Sequence, residues 1–592
     1  MKMQEVTEAF QELEATTKRL RMSEILGELF RKAGADDVDK VINFLHGRLG
    51  PPFENIEFGV DERLILLALT SASGRSADEV ERLYKERGDL GLTAEELLPG
   101  PGEGLSVSEV FSVLESIARA SGTGAQQRKV RFTADLLRRS SGVEAKYIVR
   151  VLQGKLRLGV GDATIMDGLS WAAVGNYSLR PTIEKAYNLC SDLGLVGRLL
   201  LSKGPRALEQ LRPQVGRPVR VELAERLPSA EAIIKKMGRV EAEPKYDGLR
   251  LQLHKDDQRV RFFTRRLEDV TGMFPELAQA AVRQISARDA ILDGEALVYN
   301  PETGEYLPFQ VTVQRKRKYK IEEMEARYPL RLFVFDLLYA NGQSYIELPL
   351  AERRRHLDRI LTWKEDDPIR PTERLVTDDP DELDHFFAEM IQRGLEGIVA
   401  KRPDVVYQAG QRSFNWVKLK RGYQAALRDT VDVVLVGYLA GKGKRAKFGI
   451  GSLLGAVYDP QSDRFRTVSK IGSGLTEEEW SEMKRLLDEV RTPGRPWRVD
   501  SIIEPDVWAE PKYVVEVQAD EITRSPKHTC GKVGKEPGYA LRFPRVLDWI
   551  RTDKGPEDAT TEQEILEMYR MQFVAGEKRG RRGRPSARRP AA

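Results

Sequence analysis

The sequence predicts a multidomain protein: an all-α N-terminal domain, a mixed α+β domain and a small β-barrel. At about 150 residues per domain, the 592 residues allow roughly four domain-sized units. Apolar residues recur at helical spacing through the first third of the chain, and short strand-like runs follow. We therefore predict domains at 1–212, 213–422 and 423–575, followed by a basic disordered tail at 576–592.

The composition excludes several classes of protein. Hydrophobic residues make up 41% of the chain and charged residues 31%, and no run of 18 apolar residues occurs, so we expect no membrane span. The acidic start, MKMQEVTEAFQELE, lacks the apolar stretch of a signal peptide, which predicts an intracellular protein. The two cysteines, Cys190 and Cys530, are too few for a disulfide framework or a Cys-based zinc site.

The N-terminal domain is predicted to be helical because segments such as SVSEVFSVLESIARA carry apolar residues three and four positions apart. The segment LPGPGEG, at 98–104, should separate two helices. Further on, a glycine-rich turn contains Lys155 and Arg157 and precedes another helix. Such a turn can present cations and backbone N–H groups to phosphates. From spacing alone, however, a plain packing joint between two helices is the favoured interpretation.

The middle and C-terminal domains are predicted from strand signals. The segment LRPQVGRPVR, at 211–220, resembles a linker, and LRLQLH and RVRFFT then predict a hairpin. Further strands are expected in AILDGEALVY, LRLFVFDLLY, LEGIVAKR and NWVKLK. Beyond residue 429 the runs VDVVLVGYLAG, SLLGAVYD, FRTVSKIG and KYVVEVQA predict a small barrel.

The C-terminal tail is strongly basic and has two open interpretations. From Gly576 it reads GEKRGRRGRPSARRPAA and contains no core-forming residues. Such a segment is expected to be disordered, and it could bind a phosphate backbone electrostatically. It could equally serve only to increase solubility.

The candidate active site begins with EPKYDGLR, at 243–250. In an extended segment alternate side chains share a face, so Glu243, Lys245 and Asp247 should point the same way. A lysine becomes a nucleophile when neighbouring cations, a metal or desolvation lower its pKa. Taken alone, this segment fits an ordinary Asp-Gly turn with a surface lysine better. The chain has no Walker A loop, so any nucleotide must be bound in another way.

Other segments supply carboxylates and an aromatic ring. Asp293 and Glu295 share one face of a predicted strand, an arrangement suited to Mg²⁺. Phe335 could serve as a platform for a nucleobase. Glu396 and Lys401 are an odd number of residues apart, so both can reach one pocket only if the strand ends or bulges between them.

Cations cluster in the same region of the sequence. Arg265 and Arg266 directly follow a predicted strand, and Trp416, Lys418 and Lys420 share one strand face. Two cations deep in a mixed sheet require an anion, and a triphosphate is a good candidate.

Together these segments resemble the nucleotidyltransferase motifs of ATP-dependent DNA ligases, most closely the archaeal and eukaryotic replicative type. KYDGLR resembles the family's Lys-x-Asp-Gly-x-Arg motif. FTRRLEDVT, DGE, FVFDLLY, EGIVAKR and WVKLK resemble its later motifs, in the family's order. RFPR and RTDKGPEDATT, within 542–561, are similar to the motif that the family carries on its C-terminal OB-fold, although the gap between them is one residue longer than the usual pattern.

This resemblance implies a fold and a reaction. The expected domains are an all-α DNA-binding domain, an α+β nucleotidyltransferase (adenylation) domain and a β-barrel OB-fold domain. Lys245 would attack the α-phosphate of ATP and form a lysyl–AMP intermediate. AMP would pass to the 5′-phosphate of a nick, and the 3′-hydroxyl would then seal the strand. The expected cofactors are ATP and Mg²⁺ or another divalent cation, and the expected roles are in DNA replication, repair and recombination.

The resemblance also assigns residues to parts of the site. The implied ATP-binding residues are Glu243 and Phe335 at the base, Arg250 and Glu295 at the ribose, and Arg265, Arg412 and Lys418 at the phosphates. The implied metal ligands are Glu295 and Glu396. The residues expected to orient pyrophosphate during domain closure are Arg542, Arg545, Arg551 and Lys554.

The expected partner is nicked double-stranded DNA, which the helical domain would bind, with Lys155 and Arg157 as phosphate contacts. We expect a monomer that is cytoplasmic and associated with the nucleoid. A sliding clamp is a possible partner, although we find no convincing clamp-binding peptide near the N-terminus.

Three rival functions fit the sequence less well. NAD-dependent ligases carry a four-cysteine zinc module that two distant cysteines cannot build. Capping guanylyltransferases and RNA ligases share the lysine motif but do not need a helical domain of this size. A binding protein with a decayed nucleotide pocket would be expected to have lost at least one of the charged pocket positions, and all are occupied here.

Replacement of Arg157 by alanine tests the predicted DNA contact. We expect weaker binding to a nicked duplex and a salt dependence reduced by about one ion, because one phosphate contact is lost. Affinity measured across a salt series checks this, and an unchanged slope would remove Arg157 from the interface.

Overall fold

The structure is a computed structural model that describes residues 1–300, 306–307, 311–312, 315, 321–420, 430–441, 449–519, 521–534 and 536–570. Two compact units are formed: Met1–Arg220 with Leu267–Asp269, and Val221–Arg266 with the chain from Val270 onward. The predicted basic tail, 576–592, lies outside the described residues. Within them, no helix has the length and apolar character needed to cross a membrane.

The first unit is built from helices, as the sequence predicts. They are α1 (Met3–Glu14), α2 (Arg19–Leu45), α3 (Glu62–Ser73), α4 (Ala77–Arg87), α5 (Leu90–Leu97), α6 (Val107–Arg119), α7 (Ala125–Arg139), α8 (Gly142–Leu152), α9 (Asp162–Val174), α10 (Arg180–Cys190), α11 (Leu193–Lys203) and α12 (Pro205–Glu209). The predicted break at 98–104 falls between α5 and α6. Ser106 then begins α6 with a capping box completed by Glu109, which satisfies backbone N–H groups of the first turn.

The N-terminal part of the second unit contains two mixed sheets. Its strands are β1 (Leu223–Arg226), β2 (Val240–Lys245), β3 (Leu249–Asp256), β4 (Arg259–Thr264), β5 (Asp289–Val298), β6 (Leu330–Ala340), β7 (Gln343–Ser344), β8 (Ile369–Pro371), β9 (Leu375–Thr377), β10 (Gly397–Lys401) and β11 (Arg412–Lys420). One sheet has the order β4-β3-β5-β6-β7, with β8 beside β6, and the other has the order β1-β11-β10-β2-β9. The predicted hairpin is confirmed as β3 and β4.

Helices cover both sheets and create their cores. They are α13 (Ala230–Met237), α14 (Pro275–Gln284), α15 (Ile321–Arg327), α16 (Leu350–Ile360) and α17 (Pro380–Gln392). Leu277 of α14 packs with Leu251, Leu253 and Leu292 of the first sheet, and all four are fully buried. Burying side chains of this size contributes roughly 1.5–3 kcal/mol each. The two sheets are thereby held as rigid supports for the groups at their strand ends.

The C-terminal part of the second unit is rich in antiparallel strands. Its elements are β12 (Thr430–Leu439), β13 (Ser452–Asp459), β14 (Arg464–Ile471), α18 (Glu477–Glu489), β15 (Arg491–Thr492), β16 (Val499–Asp500), β17 (Val507–Ala509), β18 (Val514–Gln518), β19 (Glu521–Ser525), β20 (Gly538–Arg542), β21 (Arg545–Ile550) and the helical segment 562–570, which we call α19. The β-rich character is as predicted.

Barrel closure is not observed among the described strands. The main sheet runs β15-β17-β12-β13-β14-β16, with β18 between β12 and β21. One edge of β12 is divided: its first half pairs with β18 and its second half with β17. Because this edge is shared, the pairing branches and does not return to its first strand. The fold therefore supports the prediction of a β-rich C-terminal domain, and barrel closure stays a prediction.

Candidate active site

A cavity of about 350 Å³ opens between strand ends of the second unit. Most of the residues predicted for an active site line it, namely Glu243, Lys245, Arg250, Arg265, Glu295, Phe335, Glu396, Arg412, Lys418, Arg551 and Lys554. These side chains come from both mixed sheets and from the β-rich part of the unit. The fold thus brings together residues that are more than 300 positions apart in sequence.

Lys245 lies at the end of β2, where the strand leaves the sheet. Its ammonium group forms an ion pair with Glu396, and Lys420 contacts the same carboxylate at 3.2 Å. Burial alone raises the pKa of the Glu396 carboxyl, but the two ammonium groups outweigh burial and hold that pKa well below its usual range. The candidate nucleophile therefore contacts a carboxylate that is ionised near neutral pH.

Gly397 explains how Glu396 and Lys401 both reach the cavity. Glu396 precedes β10, and its N–H donates to the Lys245 carbonyl at 3.2 Å. Gly397 then begins the strand with φ of +146°, a conformation that favours glycine, and a Cβ at this position would collide with the Leu419 carbonyl oxygen. The strand therefore begins between the two side chains, as the odd spacing requires.

One end of the cavity combines a carboxylate with aromatic rings. Glu243 is buried, and Lys401 contacts its Oε2 at 2.5 Å. The Lys401 ammonium also lies 4.4 Å from the ring centre of Phe335 and 4.1 Å from that of Trp416. Burial raises the pKa of the Glu243 carboxyl, and the positive charges of Lys401 and Arg354 oppose that rise. A polar acceptor beside two apolar rings is the composition expected of a base-binding pocket.

Arg250 and Glu295 form the neighbouring part of the wall. They are cross-strand partners in β3 and β5. Arg250 binds Asp293 through Nε at 3.1 Å and Nη2 at 2.6 Å. Asp293 is fully buried by these contacts, so Glu295, and not Asp293, lines the cavity. Burial raises the pKa of the Glu295 carboxyl to about 8.

Three cations meet at another part of the cavity. Arg412, Arg226 and Lys418 contact Oε1 of Glu564 at 2.5, 3.2 and 3.7 Å. Burial favours a higher pKa for Glu564, but these cations outweigh burial and hold its pKa well below the usual range. Burial together with the neighbouring Arg226 lowers the pKa of Lys418. Glu564 is therefore the carboxylate that balances the charge of these three groups.

The C-terminal cations are divided between two locations. Lys554 forms an ion pair with Asp432, and Arg551 binds Asp553 through two contacts of 2.8 Å. Both cations line the cavity, despite the unusual motif spacing at Arg551. Arg542 and Arg545 are exposed on the β-rich part and are not among its lining residues. The structure therefore brings together only two of these four predicted residues.

The predicted DNA contacts lie in the first unit, in the turn before α9. Lys155 is half-buried. Arg157 has φ of +59°, and its guanidinium contacts the buried Asp89 at 3.0 Å. This ion pair fixes the turn from within the unit, and a role for either side chain in DNA binding stays a prediction.

Several cavity residues were not predicted from the sequence. These are Arg226, Asp432, Asp558 and Glu564, together with the supporting residues Arg354 and Tyr407. Most of them form ion pairs or hydrogen bonds with residues far away in the chain, and a single sequence gives no signal for such contacts. Glu564 has a local signal, a Thr-x-x-Glu capping box with Thr561, but that signal indicates a helix start and not a charge cluster.

Metal-binding groups are sparse in the described part of the chain. Those residues contain no cluster of three or more His, Cys, Asp or Glu side chains that could hold a metal ion. Glu295 and Glu396 both line the cavity, as predicted. Two carboxylates fit Mg²⁺ only if substrate phosphates and water complete its coordination, which is its usual mode of binding.

Three family models match successive parts of the chain. The model described as "DNA ligase N terminus" matches residues 2–170, "ATP dependent DNA ligase domain" matches 221–420, and "ATP dependent DNA ligase C terminal region" matches 446–554. Together they cover well over half of the 592 residues.

Named relatives resemble the chain over nearly its whole length. A "Probable DNA ligase" of Dictyoglomus thermophilum is 53% identical over 568 residues, which are 96% of this chain and 97% of that protein. "DNA ligase 2" of Thermofilum pendens is 44% identical over 95% of this chain and 96% of its own. "DNA ligase" of Sulfurisphaera tokodaii is 42% identical over 97% and 98%.

Replacement of Gly397 by alanine should prevent nucleotide binding in the cavity. The new Cβ would force β10 away from β11 and displace Glu396. We expect a fall in the thermal midpoint and loss of ATP binding in a filtration assay. Gly394→Ala is the matched control, because Gly394 also has a positive φ, of +81°, but no atom lies within 4 Å of the place that a Cβ would take there. Equal effects of the two substitutions would contradict this explanation.

Asp432 should contribute stability that depends on pH. Burial raises its pKa, but Lys554 and Arg551 lower it to about 2 from 3.8. A carboxyl whose pKa is lower in the folded state stabilises the protein above its unfolded pKa and loses that effect as the pH falls through the folded pKa. Asp432→Asn should therefore remove about 2 kcal/mol near neutral pH and little at about pH 2.

Thermal midpoints across a pH series measure this effect. Asp384→Asn, at an exposed position, is the control. A constant difference between wild type and Asp432→Asn at all pH values would exclude the ion pairs as its origin.

Proposed function

This chain belongs to the family of ATP-dependent DNA ligases, and we propose that it seals nicks in duplex DNA with Lys245 as the nucleophile that carries AMP. The sealing of nicks is the activity of this family. The observation that carries the residue assignment is that Lys245 lines the cavity. The same cavity is lined by a carboxylate beside aromatic rings, as expected of a base-binding pocket, and by a cluster of cations.

In the first step the Lys245 amine attacks the α-phosphate of ATP. An N–P bond forms, the bond from the α-phosphorus to the bridging oxygen breaks, and pyrophosphate leaves. Because only a neutral amine is nucleophilic, Lys245 must first lose a proton and separate from Glu396. Lys420 already shares the Glu396 carboxylate and can retain it when Lys245 moves toward the phosphate.

The two later steps return the enzyme to its starting state. An oxygen of the 5′-phosphate at the nick attacks the phosphorus of lysyl–AMP, which breaks the N–P bond and frees Lys245. The 3′-hydroxyl then attacks the activated 5′-phosphate, forms the phosphodiester and releases AMP. Holding both ends of the nick next to each other removes most of the entropic cost of this reaction.

The proposed nucleotide contacts follow the cavity wall. Glu243 accepts a hydrogen bond from the base, Phe335 packs against it, and Arg250 and Glu295 bind the ribose. Arg265, Arg412 and Lys418 bind phosphates, and Arg226 joins them because it shares Glu564 with two of these cations. Fixed cations around the transferred phosphate stabilise the charge that develops in the transition state.

We assign Mg²⁺, or another divalent cation, to Glu295 and Glu396. A divalent ion there would supply positive charge to the phosphates of ATP and to the leaving pyrophosphate. Burial raises the pKa of the Glu295 carboxyl to about 8 because it disfavours the charged form, and a neighbouring divalent cation would stabilise that form.

We propose an OB-fold for the C-terminal domain, 423–575, after a helical DNA-binding domain at 1–212 and an adenylation domain at 213–422. Arg551 and Lys554 would orient pyrophosphate from this domain. Arg542 and Arg545, which are exposed, would join them only on closure of the domain. The match of residues 446–554 to the C-terminal ligase model supports this assignment.

The proposed partner is nicked double-stranded DNA, with Lys155 and Arg157 of the helical domain near its phosphates. Because the helical domain and the adenylation domain both occur in one chain, a monomer would suffice for sealing. We place the protein in the cytoplasm, on the nucleoid, and retain a sliding clamp as a possible partner. Co-elution of the chain with a nicked duplex in size-exclusion chromatography would measure the stoichiometry.

Replacement of Lys245 by alanine tests the proposed nucleophile. We expect no covalent attachment of AMP but continued sealing of a nick that is already adenylated, since the nucleophile is needed only in the first step. Lys245→Arg should be equally unable to attach AMP, because a guanidinium stays protonated. The assay uses ATP labelled on its α-phosphate with Mg²⁺, a denaturing gel, and a chase with unlabelled nicked DNA.

Lys235→Ala, at an exposed lysine of α13, is the matched control and should behave as wild type. Label that forms on the wild type but is not released by nicked DNA would point to another nucleic-acid end as substrate. Failure of Lys245→Ala on the adenylated nick would contradict the step assignment.

A further inference from the structure

A closed ring of hydrogen bonds surrounds the guanidinium of Arg250. Arg250 donates from Nη1 to the Glu222 carbonyl at 2.9 Å, and the Glu222 N–H donates to the hydroxyl of Tyr407 at 2.9 Å. The Tyr407 hydroxyl donates to Oδ2 of Asp293 at 3.1 Å, and Asp293 accepts from Nε and Nη2 of Arg250. The ring joins β3, β5, the segment before β1 and the loop before β11.

The direction of each hydrogen bond in this ring is fixed. The Glu222 amide can only donate, so the Tyr407 oxygen must accept from it and give its own proton to Asp293. Tyr407, Asp293 and Glu222 are all buried, so bulk solvent does not reach these hydrogen bonds. The Tyr407 hydroxyl is therefore the group that closes the ring.

The ring of hydrogen bonds uses three of the N–H groups of Arg250 and leaves two for a ligand. A guanidinium has five N–H groups. Asp293 accepts from the Nε N–H and from one N–H of Nη2, and the Glu222 carbonyl accepts from one N–H of Nη1. One N–H therefore remains on each of Nη1 and Nη2. Arg250 lines the cavity, and its two remaining donors match in number the two hydroxyl groups of a ribose.

A competing acceptor lies next to this donor pair. Glu295 is the cross-strand partner of Arg250, and its carboxyl also lines the cavity. Without the ring, the guanidinium could turn toward Glu295. The rings of Phe335 and Trp416, at 5.3 and 5.6 Å from the guanidinium carbon, limit its movement on their side but supply no hydrogen bond.

We propose that Tyr407 is a positioning residue that sets selectivity for the ribose of the nucleotide, by holding Arg250 so that its two remaining N–H groups meet the 2′- and 3′-hydroxyls. This inference rests on the proposed function, in which Arg250 binds the ribose of ATP. The inference goes beyond that function in two respects. It assigns a role to a residue outside the cavity wall, and it predicts a preference for ATP over 2′-deoxy-ATP.

Tyr407→Phe is the first test, because it removes one oxygen atom and keeps the ring. Initial rates of covalent labelling are measured with ATP and with 2′-deoxy-ATP, each labelled on the α-phosphate. We expect the ratio of kcat/KM for the two nucleotides to fall by about five- to tenfold, mainly through a higher KM for ATP, since a site built to bind a hydroxyl discriminates through that contact. The KM for 2′-deoxy-ATP should rise less, because this nucleotide has only the 3′-hydroxyl contact to lose.

Tyr438→Phe is the matched control. Tyr438 is also buried, and its hydroxyl donates to Asp488 at 2.7 Å, but it is not among the residues that line the cavity. This variant should lose a side-chain hydrogen bond and keep the wild-type nucleotide ratio. If Tyr407→Phe raises KM equally for both nucleotides, as a general structural defect would, the proposal is overturned.

A double substitution tests whether Tyr407 acts through Arg250. In an Arg250→Lys background, Tyr407→Phe should produce no further change in the nucleotide ratio, because the residue it positions is already absent. A full additional decrease would overturn the proposed coupling.

Labelling experiments with the wild-type protein distinguish failure of this inference from failure of the proposed function. No labelling with ATP would overturn the proposed function and, with it, the role of Tyr407. Equal labelling by ATP and 2′-deoxy-ATP, followed by sealing of nicked DNA, would overturn only the ribose selectivity.

Discussion

The cost of burying charge is the constraint on which the cavity depends. Buried cations need counter-charges, because desolvation of an unpaired ion costs several kcal/mol. The fold meets this requirement with carboxylates: Glu396 pairs with Lys245, and Glu564 pairs with Arg412 and its neighbours. Under the proposed function, a phosphate oxygen or a metal ion would replace one partner of each ion pair, and ligand binding would become an exchange of charges.

Backbone geometry decides which side chains take part in this exchange. Strand alternation places Glu243 and Lys245 of β2 in the same cavity wall. On the paired strand β10, alternation alone would separate Glu396 from Lys401, and Gly397 corrects this by its positive φ. A single glycine thus allows one short segment to contact both Lys245 and Glu243.

The sequence predicts the parts of this arrangement that are local. Strand runs, the shared face of Glu243 and Lys245 and the cations of β11 follow from periodicity and residue type. Contacts between distant segments do not: Tyr407 and Asp293 are 114 positions apart, and nothing near Tyr407 marks its hydroxyl as a partner. Strand spacing likewise cannot show that β12 divides one edge between β17 and β18, so barrel closure stays a prediction.

Different parts of the cavity are supported in different ways. Around Arg250 the partners are internal, neutral or fully buried, and they form a closed ring, so no ligand group can replace them without leaving a buried donor or acceptor unsatisfied. Around Arg412 the partner is the carboxylate of Glu564, whose pairing with cations resembles that of a phosphate oxygen. Under the proposed function, rigid support would suit the sugar of the nucleotide. Exchangeable ion pairs would suit the phosphates, because pyrophosphate leaves after the first step and a DNA phosphate must then enter.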